Sequence, residues 1–541
     1  MKLLERFKKI MTKVTDNVQA TTADMKVSKE FKDVFELGGV PAYSQFYNYG
    51  IFPWKYVYRG FYKEWHIIKA PTIADPKATR QLNYLNMAKA LTSELAGMVW
   101  TDQCEVNLTT NGIEDIEQDT LHKFVNSVLR YNNFNVKMLE AIEQAAALGG
   151  EALKVWYEVK YDRDGNEIPN SGEIKVGYCM ADQFVPTSWN NAEVNEGIFV
   201  DRTAKNGYYY TRLEWHEWNG TTYEVRNELY KADIKPNGGE CQDILGFRYP
   251  LNLVYPNITE WAKLPVSKSL FSYFRTPTAN NLDDNSPLGV SIYANAMDTL
   301  HALDIAYDSF VREFRLGKKR IIVPARMIKQ VQDPVSGQMV RYFDATDETY
   351  EALSTDDPDS LKVQDNSVTL RVDEHVAGIN ALLNILCLQT GLSASTFSFD
   401  AKGGLKTATE VVSENSKTYK TVKNFQNMIK PAIVRLVENI IAVASIYNLE
   451  YEGKSIAELA KQGYEVSVVM DDGITQDRQT NINEGIQLVN AKLMSKKKFL
   501  TDPKYGQGLT EEQAQAELEQ IANEGRVNAI DVDMMRINTA E

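Results

Sequence analysis

Apolar residues recur at three- and four-residue intervals from Pro76 to Trp100 and again from Glu114 to Leu148, the spacing of one helical face. The second run closes on Gly149 and Gly150, a helix stop. From Ala152 to Lys231 the period falls to two, in "LKVWYEVKY", "GEIKVGYCM", "GYYYTRLEWHEW" and "TTYEVRNELY", separated by "DRDGNE", "AKNG" and "NG". That pattern predicts an antiparallel meander. The helical rhythm returns from Ser291 to Leu316 through Ile292, Ala296, Leu300, Leu303, Tyr307, Phe310 and Phe314, and ends at Gly317. Two strand-like runs follow around the turn "DPVSG", then a third, "SVTLRV", and a helix from Asp373 to Thr390 that stops at Gly391. A last long pattern, Thr407 to Tyr447, predicts a helix roughly 60 Å long. Pro431 lies inside it and predicts a kink near Asn427. Beyond it a strand, "YEVSVVMDD", alternates with helices in "QTNINEGIQLVNAKLM" and "LTEEQAQAELEQIANE", and the chain closes in a loose tail.

Length and charge narrow the function. A chain of 541 residues predicts about three or four substructures. The balance of 59 basic against 73 acidic residues, net -14, argues against a broad surface that grips phosphate. It leaves room for nucleic acid that slides past. Cys104, Cys179, Cys241 and Cys387 lack CxxC spacing and the five histidines never join them in metal-ligand order, so neither zinc nor another metal is expected. The cysteine usage fits a reducing, cytosolic compartment. "MKLLERFKKIMTKV" sets Leu3, Leu4, Phe7, Ile10 and Val14 opposite lysines. That pattern describes either a membrane-surface helix or, the favoured reading, a helix packed on protein. The apolar run is too interrupted for a signal peptide, and no run reaches the roughly 18 residues of a spanning helix.

Candidate chemistry is sparse. "DRDGNE" (Asp162 to Glu167) carries its glycine at the fourth position, not the sixth that a calcium loop needs, and reads as a hairpin turn. His216 and Glu217 are neighbours on a strand, hence on opposite faces, and read as sheet surface. "FDAKGGLKTATEV" has the look of a phosphate loop, but Leu405 separates Gly404 from Lys406 and no buried strand precedes it. Thr407 as N-cap with Glu410 three residues on makes a capping box instead, with Gly403 and Gly404 freeing the backbone ahead of it. From Lys402 to Lys430, six lysines face two glutamates, an excess that invites a passing polyanion. Arg312, Arg315, Lys318, Lys319 and Arg320 cluster where cations suit a helix C-terminus, and could also face phosphate. From Asp344 to Glu374 ten acids stand against Lys362 and Arg371. No catalytic constellation and no cofactor motif stands out.

The order helix, β insertion, returning helix, glycine-bearing loop and long kinked helix resembles that of tailed-bacteriophage portal (head-tail connector) proteins. The likeness is to those of long-tailed phages of Gram-positive hosts, often labelled minor capsid proteins. It is carried by "SPLGVSIYANAMDTLHALDIAYDSFVREFRLGKKRIIVP" (Ser286 to Pro324) and "TGLSASTFSFDAKGGLKTATEVVSENSKTY" (Thr390 to Tyr419). The resemblance implies an α+β portal fold: a helical and antiparallel-β wing over 1–290, stem helices over 291–318 and 373–392, and a small β-rich clip over 319–372. A tunnel loop over 393–406, a long kinked helix over 407–450 and a helical crown over 451–541 complete it. It further implies a non-enzymatic ring, typically of twelve subunits, assembled in the host cytoplasm and placed at one capsid vertex of the virion. Double-stranded DNA would pass without sequence specificity. Terminase large subunit, head-tail adaptor, major capsid and scaffold proteins would be partners, and no membrane. Phe399, Lys402, Gly403, Gly404 and Lys406 would then belong to the loop facing the channel. The rivals are another capsid or scaffold component, which would assemble as shells, and a packaging enzyme, which would need a phosphate loop or clustered carboxylates.

Overall fold

The computed structural model describes residues 46–521 apart from 72–74, 114–115, 161–167, 169–171, 192, 234–244, 318–320, 323–329, 333–336, 342–363, 366–368, 395, 398–407, 471–477, 503–504 and 506–512. Residues 117, 321–322, 330–332, 339–341, 364–365, 408–414 and 478–481 are described by their backbone alone.

A π-helical turn (Tyr47–Ile51) leads into α1 (Phe52–Tyr58), then α2 (Lys63–His66), the antiparallel pair β1 (Ile67–Lys69) and β2 (Thr79–Gln81), and α3 (Met87–Val99). The helix expected from Pro76 therefore begins only at Met87. Pairing claims Thr79–Gln81 first, and Asn86, at φ 54, turns the chain into the helix. After β3 (Glu105–Thr110) come α4 (Thr120–Tyr131) and α5 (Phe134–Leu148). The single periodic run is two helices, divided at Asn132 and Asn133, the latter at φ 51. Asp119 caps α4 by accepting the Leu121 N–H at 2.9 Å, and also holds the Thr110 N–H at 2.6 Å, which locks α4 onto β3. Gly149 ends α5 at φ 97, where a Cβ would lie 2.2 Å from the Gly289 carbonyl oxygen.

The alternating region forms β4 (Gly150–Glu158), β5 (Glu173–Met180), β6 (Phe184–Asn190), β7 (Glu193–Lys205), β8 (Tyr208–Asn219) and β9 (Thr222–Asp233). Then come β10 (Phe247–Tyr249), β11 (Trp261–Leu264) and β12 (Phe271–Arg275). The expected meander is real from β6 to β9, where β10 and β11 join it on β9, but β4 and β5 belong to another sheet, ordered β12-β4-β5. A 3-10 turn at Ala181–Gln183 separates the two. Asn206 and Gly207, both at positive φ (52 and 79), make the tight turn between β7 and β8 that the sequence announces. The "DRDGNE" turn falls outside the described residues, but its flanks pair antiparallel up to Glu158 and Glu173.

His216 is buried and does not lie on the sheet surface. The three-stranded sheet packs on that face, putting the Phe271 ring 5.5 Å from the imidazole, with Phe199 at 5.0 Å. Its neighbour Glu217 is half-buried and pairs with Arg226 at 3.2 Å. The His216 imidazole joins a network between the sheets. Lys154 on β4 donates to Glu214 at 2.6 Å, Arg212 approaches it at 3.0 Å, and His216 Nε2 lies 2.9 Å from its other oxygen. Tyr223 Oη accepts the Leu270 N–H, so its own proton goes to His216 Nδ1 at 2.6 Å, and the Nε2 proton goes to Glu214. Burial alone would raise the Glu214 carboxyl, but Lys154, the His216 hydrogen bond and Arg212 hold it well below the usual carboxylate range. Burial also lowers the His216 pKa, keeping the ring neutral.

Glu151, at the head of β4, is the opposite case. It is fully buried, neither oxygen finds a hydrogen-bond partner, and the adjacent Asp182 already has Lys55. Burial, then the Asp182 charge, raises its pKa well above the ordinary value, with Lys55 opposing. The folded state therefore binds this proton more tightly than the unfolded chain does. Its contribution is present below the unfolded pKa and lost as pH rises through the folded one. Glu151→Gln is expected to melt like the wild type near pH 4 and above it at pH 8. Melting curves across that range test this, and parallel curves would remove the argument.

After β12 the chain forms α6 (Met297–Leu316), the short strands β13 (Ile321–Ile322), β14 (Gln330–Gln332), β15 (Met339–Arg341) and β16 (Gln364–Asp365), then α7 (Val372–Thr390) and α8 (Ala408–Ile446). β13 pairs with β16 and β14 with β15, so the inserted β segment is present between the helices. α6 starts six residues later than expected, because Ser291 and Ile292 bond back to the Ala146 carbonyl of α5. α8 buries Val422, Phe425, Ile429, Ile433, Leu436 and Ile440, and the helix runs on through Pro431. The chain continues with β17 (Glu450–Tyr451), β18 (Lys454–Ser455), α9 (Ile456–Lys461), β19 (Tyr464–Val469), α10 (Arg478–Asn490) and α11 (Lys496–Thr501), and residues 513–521 are helical. β19 pairs along all of β3. One continuous core runs from Phe46 to Met470 through α3, α5, α7 and α8.

Candidate functional site

α6 and α7 form a hairpin whose facing sides bury Leu300 and Leu303 against Ile379, Leu383 and Leu386. At its far end Glu313 accepts from the Arg371 backbone N–H (3.3 Å), Nε (3.3 Å) and Nη2 (3.2 Å), with His375 3.8 Å away. This clasp joins the points where the chain leaves α6 and re-enters α7. Gly317 follows α6 beside it, and a Cβ there would sit 2.8 Å from the Glu313 carbonyl oxygen, which cannot move aside as the end of the Leu370 side chain can.

The middle of α6 is held through two of its acids. Asp304 accepts the Leu85 N–H at 2.8 Å and faces His66 Nε2 at 3.0 Å, while His66 Nδ1 takes the Tyr62 N–H at 2.8 Å and leaves the ring proton on Nε2. Asp308 receives Arg80 through both terminal nitrogens (3.0 and 2.7 Å) and the Asn83 N–H at 3.1 Å. Burial alone would raise the Asp308 pKa, but Arg80 and Asn83 bring it below normal. Both carboxylates are thus spent inside the subunit, and neither offers negative charge to a passing ligand.

The glycine-bearing loop starts from a fixed root. Gly391 ends α7 at φ 82, and its carbonyl accepts from Thr421 at 2.6 Å. The Ser393 N–H donates to Thr418 Oγ1 at 2.9 Å, the two hydroxyls lie 3.0 Å apart, and Lys417 donates to the Leu388 carbonyl at 2.8 Å. These contacts pin the start of the loop to α8. Phe399, Lys402, Gly403, Gly404, Lys406 and Thr407 lie outside the described residues, as do Lys318, Lys319 and Arg320. Glu410 is within α8, but its side chain is not described, so the capping box is not visible. What the structure does place beside the loop root is a cationic strip on α8. Lys417, Lys420 and Lys423 are exposed at three-residue spacing, and the last two form no ion pair with a described residue. Sequence reasoning counted these lysines but missed Ser393, Thr418 and Thr421, whose polar signal is ordinary, and read no role into Asp304 or Asp308.

Among the described residues no three His, Cys, Asp or Glu side chains converge as a metal site, and no helix is long and apolar enough to cross a membrane. Residues 51–528 match the model of the family described as phage portal protein, SPP1 Gp6-like. The chain belongs to that family. No curated protein matches it. As a portal protein it is a structural component of the bacteriophage virion that serves genome packaging at the capsid. Its mixture of helices and antiparallel sheets is an α+β portal fold.

Proposed function

We propose that this portal chain closes into a ring of twelve copies at one capsid vertex and conducts double-stranded DNA through its axis, inward during packaging and outward during ejection. The reading is supported above all by the outer faces of the α6–α7 hairpin. Ile305 and Leu316 are 47% and 55% exposed on α6, and Ile385 and Leu388 are 45% and 68% exposed on α7 beside Ala377 and Ala381. Each helix carries its own apolar side chains into solvent. A heterologous contact that closes a ring needs two different faces of this kind, one for each neighbour. In this arrangement 1–290 is the wing, 291–318 and 373–392 the stem, 319–372 the clip, 393–406 the tunnel loop, 407–450 the helix behind it and 451–541 the crown. The clip meets terminase and later the head-tail adaptor, and the outer rim meets capsid and scaffold proteins. Electron micrographs of the purified full chain test the ring: closed particles with a central hole are expected, and shells or open filaments would overturn it.

An overall charge of -14 keeps DNA from adhering along the whole channel, since every neutralised phosphate adds affinity through counterion release. A few lysines repeated by symmetry then hold the duplex transiently, without reading its sequence. Lys402 and Lys406 take this part in the loop, with Lys420 and Lys423 behind it. Lys402→Ala combined with Lys406→Ala is expected to lower the yield of DNA-filled particles several-fold while rings still form. Normal DNA content per particle would rule the loop lysines out.

A further inference from the structure

The loop between β12 and α6 is tied at both ends to the C-terminal end of α5. The Thr276 N–H donates to the Gly149 carbonyl at 3.0 Å, and the Ile292 N–H to the Ala146 carbonyl at 3.0 Å. Between these ties the chain folds into a bonded turn. Asn280 Oδ1 accepts the N–H groups of Leu282 and Asp283, both at 3.0 Å, Asn280 Nδ2 donates to the Leu288 carbonyl at 3.0 Å, and Asp283 Oδ1 accepts the Asn285 N–H at 3.1 Å. The turn holds Leu282 56% exposed. Asp284 beside it is exposed and forms no ion pair with a described residue. A single exposed leucine is ordinary, and what gives this one meaning lies at the other end of α5.

There a cavity of about 590 Å³ opens between β3, α4 and the first turn of α5. Ile116, Leu129, Phe134 and Val136 supply its apolar lining. Arg130 lines it too, exposed and without an ion pair to a described residue, against the single acid Glu105. The start of α5 adds the positive end of its peptide dipoles, because Asn133 provides no side-chain cap and the first turn holds no acid. The cavity is thus apolar within and cationic on balance. Fifteen residues of helix, about 20 Å, separate it from the Leu282 turn, and Leu282 is not among its lining residues. One chain leaves both open.

We propose that the Leu282 turn of one copy seats in the α5 cavity of the next, with Leu282 against Leu129 and Phe134 and Asp284 facing Arg130. The proposal rests on the ring reading above and adds a contact distinct from the α6–α7 faces. A knob and a pocket at opposite ends of one helix are heterologous by construction, since each copy gives its knob to one neighbour and its pocket to the other. Opposite charges at the rim set the register, and burial of the leucine holds it.

The test is disulfide trapping in the full chain. Leu282→Cys is combined with Val136→Cys, an exposed position in the cavity lining, in a Cys104→Ala background because the Cys104 thiol also lines the cavity. Mild oxidation with copper phenanthroline in air is expected to give a ladder of covalent multimers on non-reducing gels, absent from either single variant. No ladder, or a bond within one chain only, would overturn the contact. Charge exchange checks the register. Arg130→Glu or Asp284→Arg alone is expected to weaken association about tenfold, and the two together to restore it. A pair no better than the singles would give the cavity to another occupant, such as a capsid or scaffold protein, and overturn the proposal. Micrographs of the same samples keep the readings apart: closed rings without a ladder overturn this contact alone, whereas a ladder from particles that do not close keeps the contact and overturns the ring.

Discussion

Glu214→Ala is expected to destabilise the fold by about 3–5 kcal/mol, the range for breaking a buried ion pair from one side. Lys154 Nζ and Arg212 both point at this carboxylate, and the His216 Nε2 proton ends on it. Alanine would leave two cations and a ring N–H facing each other between the sheets. Replacing Lys154 by methionine together with Glu214→Leu should recover much of the loss, because an apolar pair of similar volume removes the Lys154 charge, while Arg212 keeps Asp201 at 3.6 Å and Asn227 at 3.2 Å. Unfolding can be followed by the fluorescence of Trp215 and Trp218, which flank the network on β8. The effect also has a pH signature. With its folded pKa depressed, Glu214 contributes stability above its unfolded pKa and loses it as pH falls through the folded value. The wild type should therefore weaken in acid more steeply than the alanine variant. Equal melting temperatures for the two at pH 7 would mean that the network carries no stability.

Ile385→Asp with Leu388→Asp should turn rings into monomers without unfolding them. Both side chains are exposed in the isolated chain, so the monomer loses little. In a ring each would be buried at every subunit boundary, where an apolar side chain of this size contributes about 1.5–3 kcal/mol. Losing two such contributions weakens each boundary by roughly 10² to 10⁴, before the cost of burying aspartate is added. Light scattering with circular dichroism gives the answer: monomer mass with an unchanged spectrum is expected. Intact rings in the double variant would move the subunit contact away from α7.

Much of the architecture could be read before any coordinates. α7 and α8 match their periodic runs to within a residue or two, and the β6–β9 meander appears with its Asn-Gly turn. These elements are long and periodic, with α7 stopping at Gly391 and the β7–β8 turn at Gly207, so local chemistry decides them. Where the reading failed, a distant partner had intervened. Thr79–Gln81 was taken from a helix by β1, and β4 and β5 were taken from the meander by β12. His216 looked like surface because alternation along one strand cannot report that a second sheet covers it. Asp304 and Asp308 carried no signal in the sequence, because their partners at residues 80–85 lie more than 200 positions away. At the candidate site the sequence supplied a glycine-bearing stretch, which lies outside the described residues, and the count of lysines on the helix after it. Its root at Ser393, Thr418 and Thr421 was not legible, because serine and threonine are common on helices and carry no signal until two of them meet.

The sequence by itself determined that "FDAKGGLKTATEV" departs from phosphate-loop spacing at Leu405, that the acidic balance opposes a broad grip on DNA, and that two helices enclose a β insertion ahead of a glycine-bearing stretch. Those facts follow from composition and from periods of 2 and 3.6, which each segment expresses alone. The tertiary structure decided which charges stay free. Asp304, Asp308 and Glu214 are consumed by partners far away in sequence, and β19 closes on β3 across most of the chain. Lys420, Lys423 and Lys492 remain in solvent. Charge type is written residue by residue, but neutralisation requires a partner within a few ångströms, and only the folded chain supplies that distance.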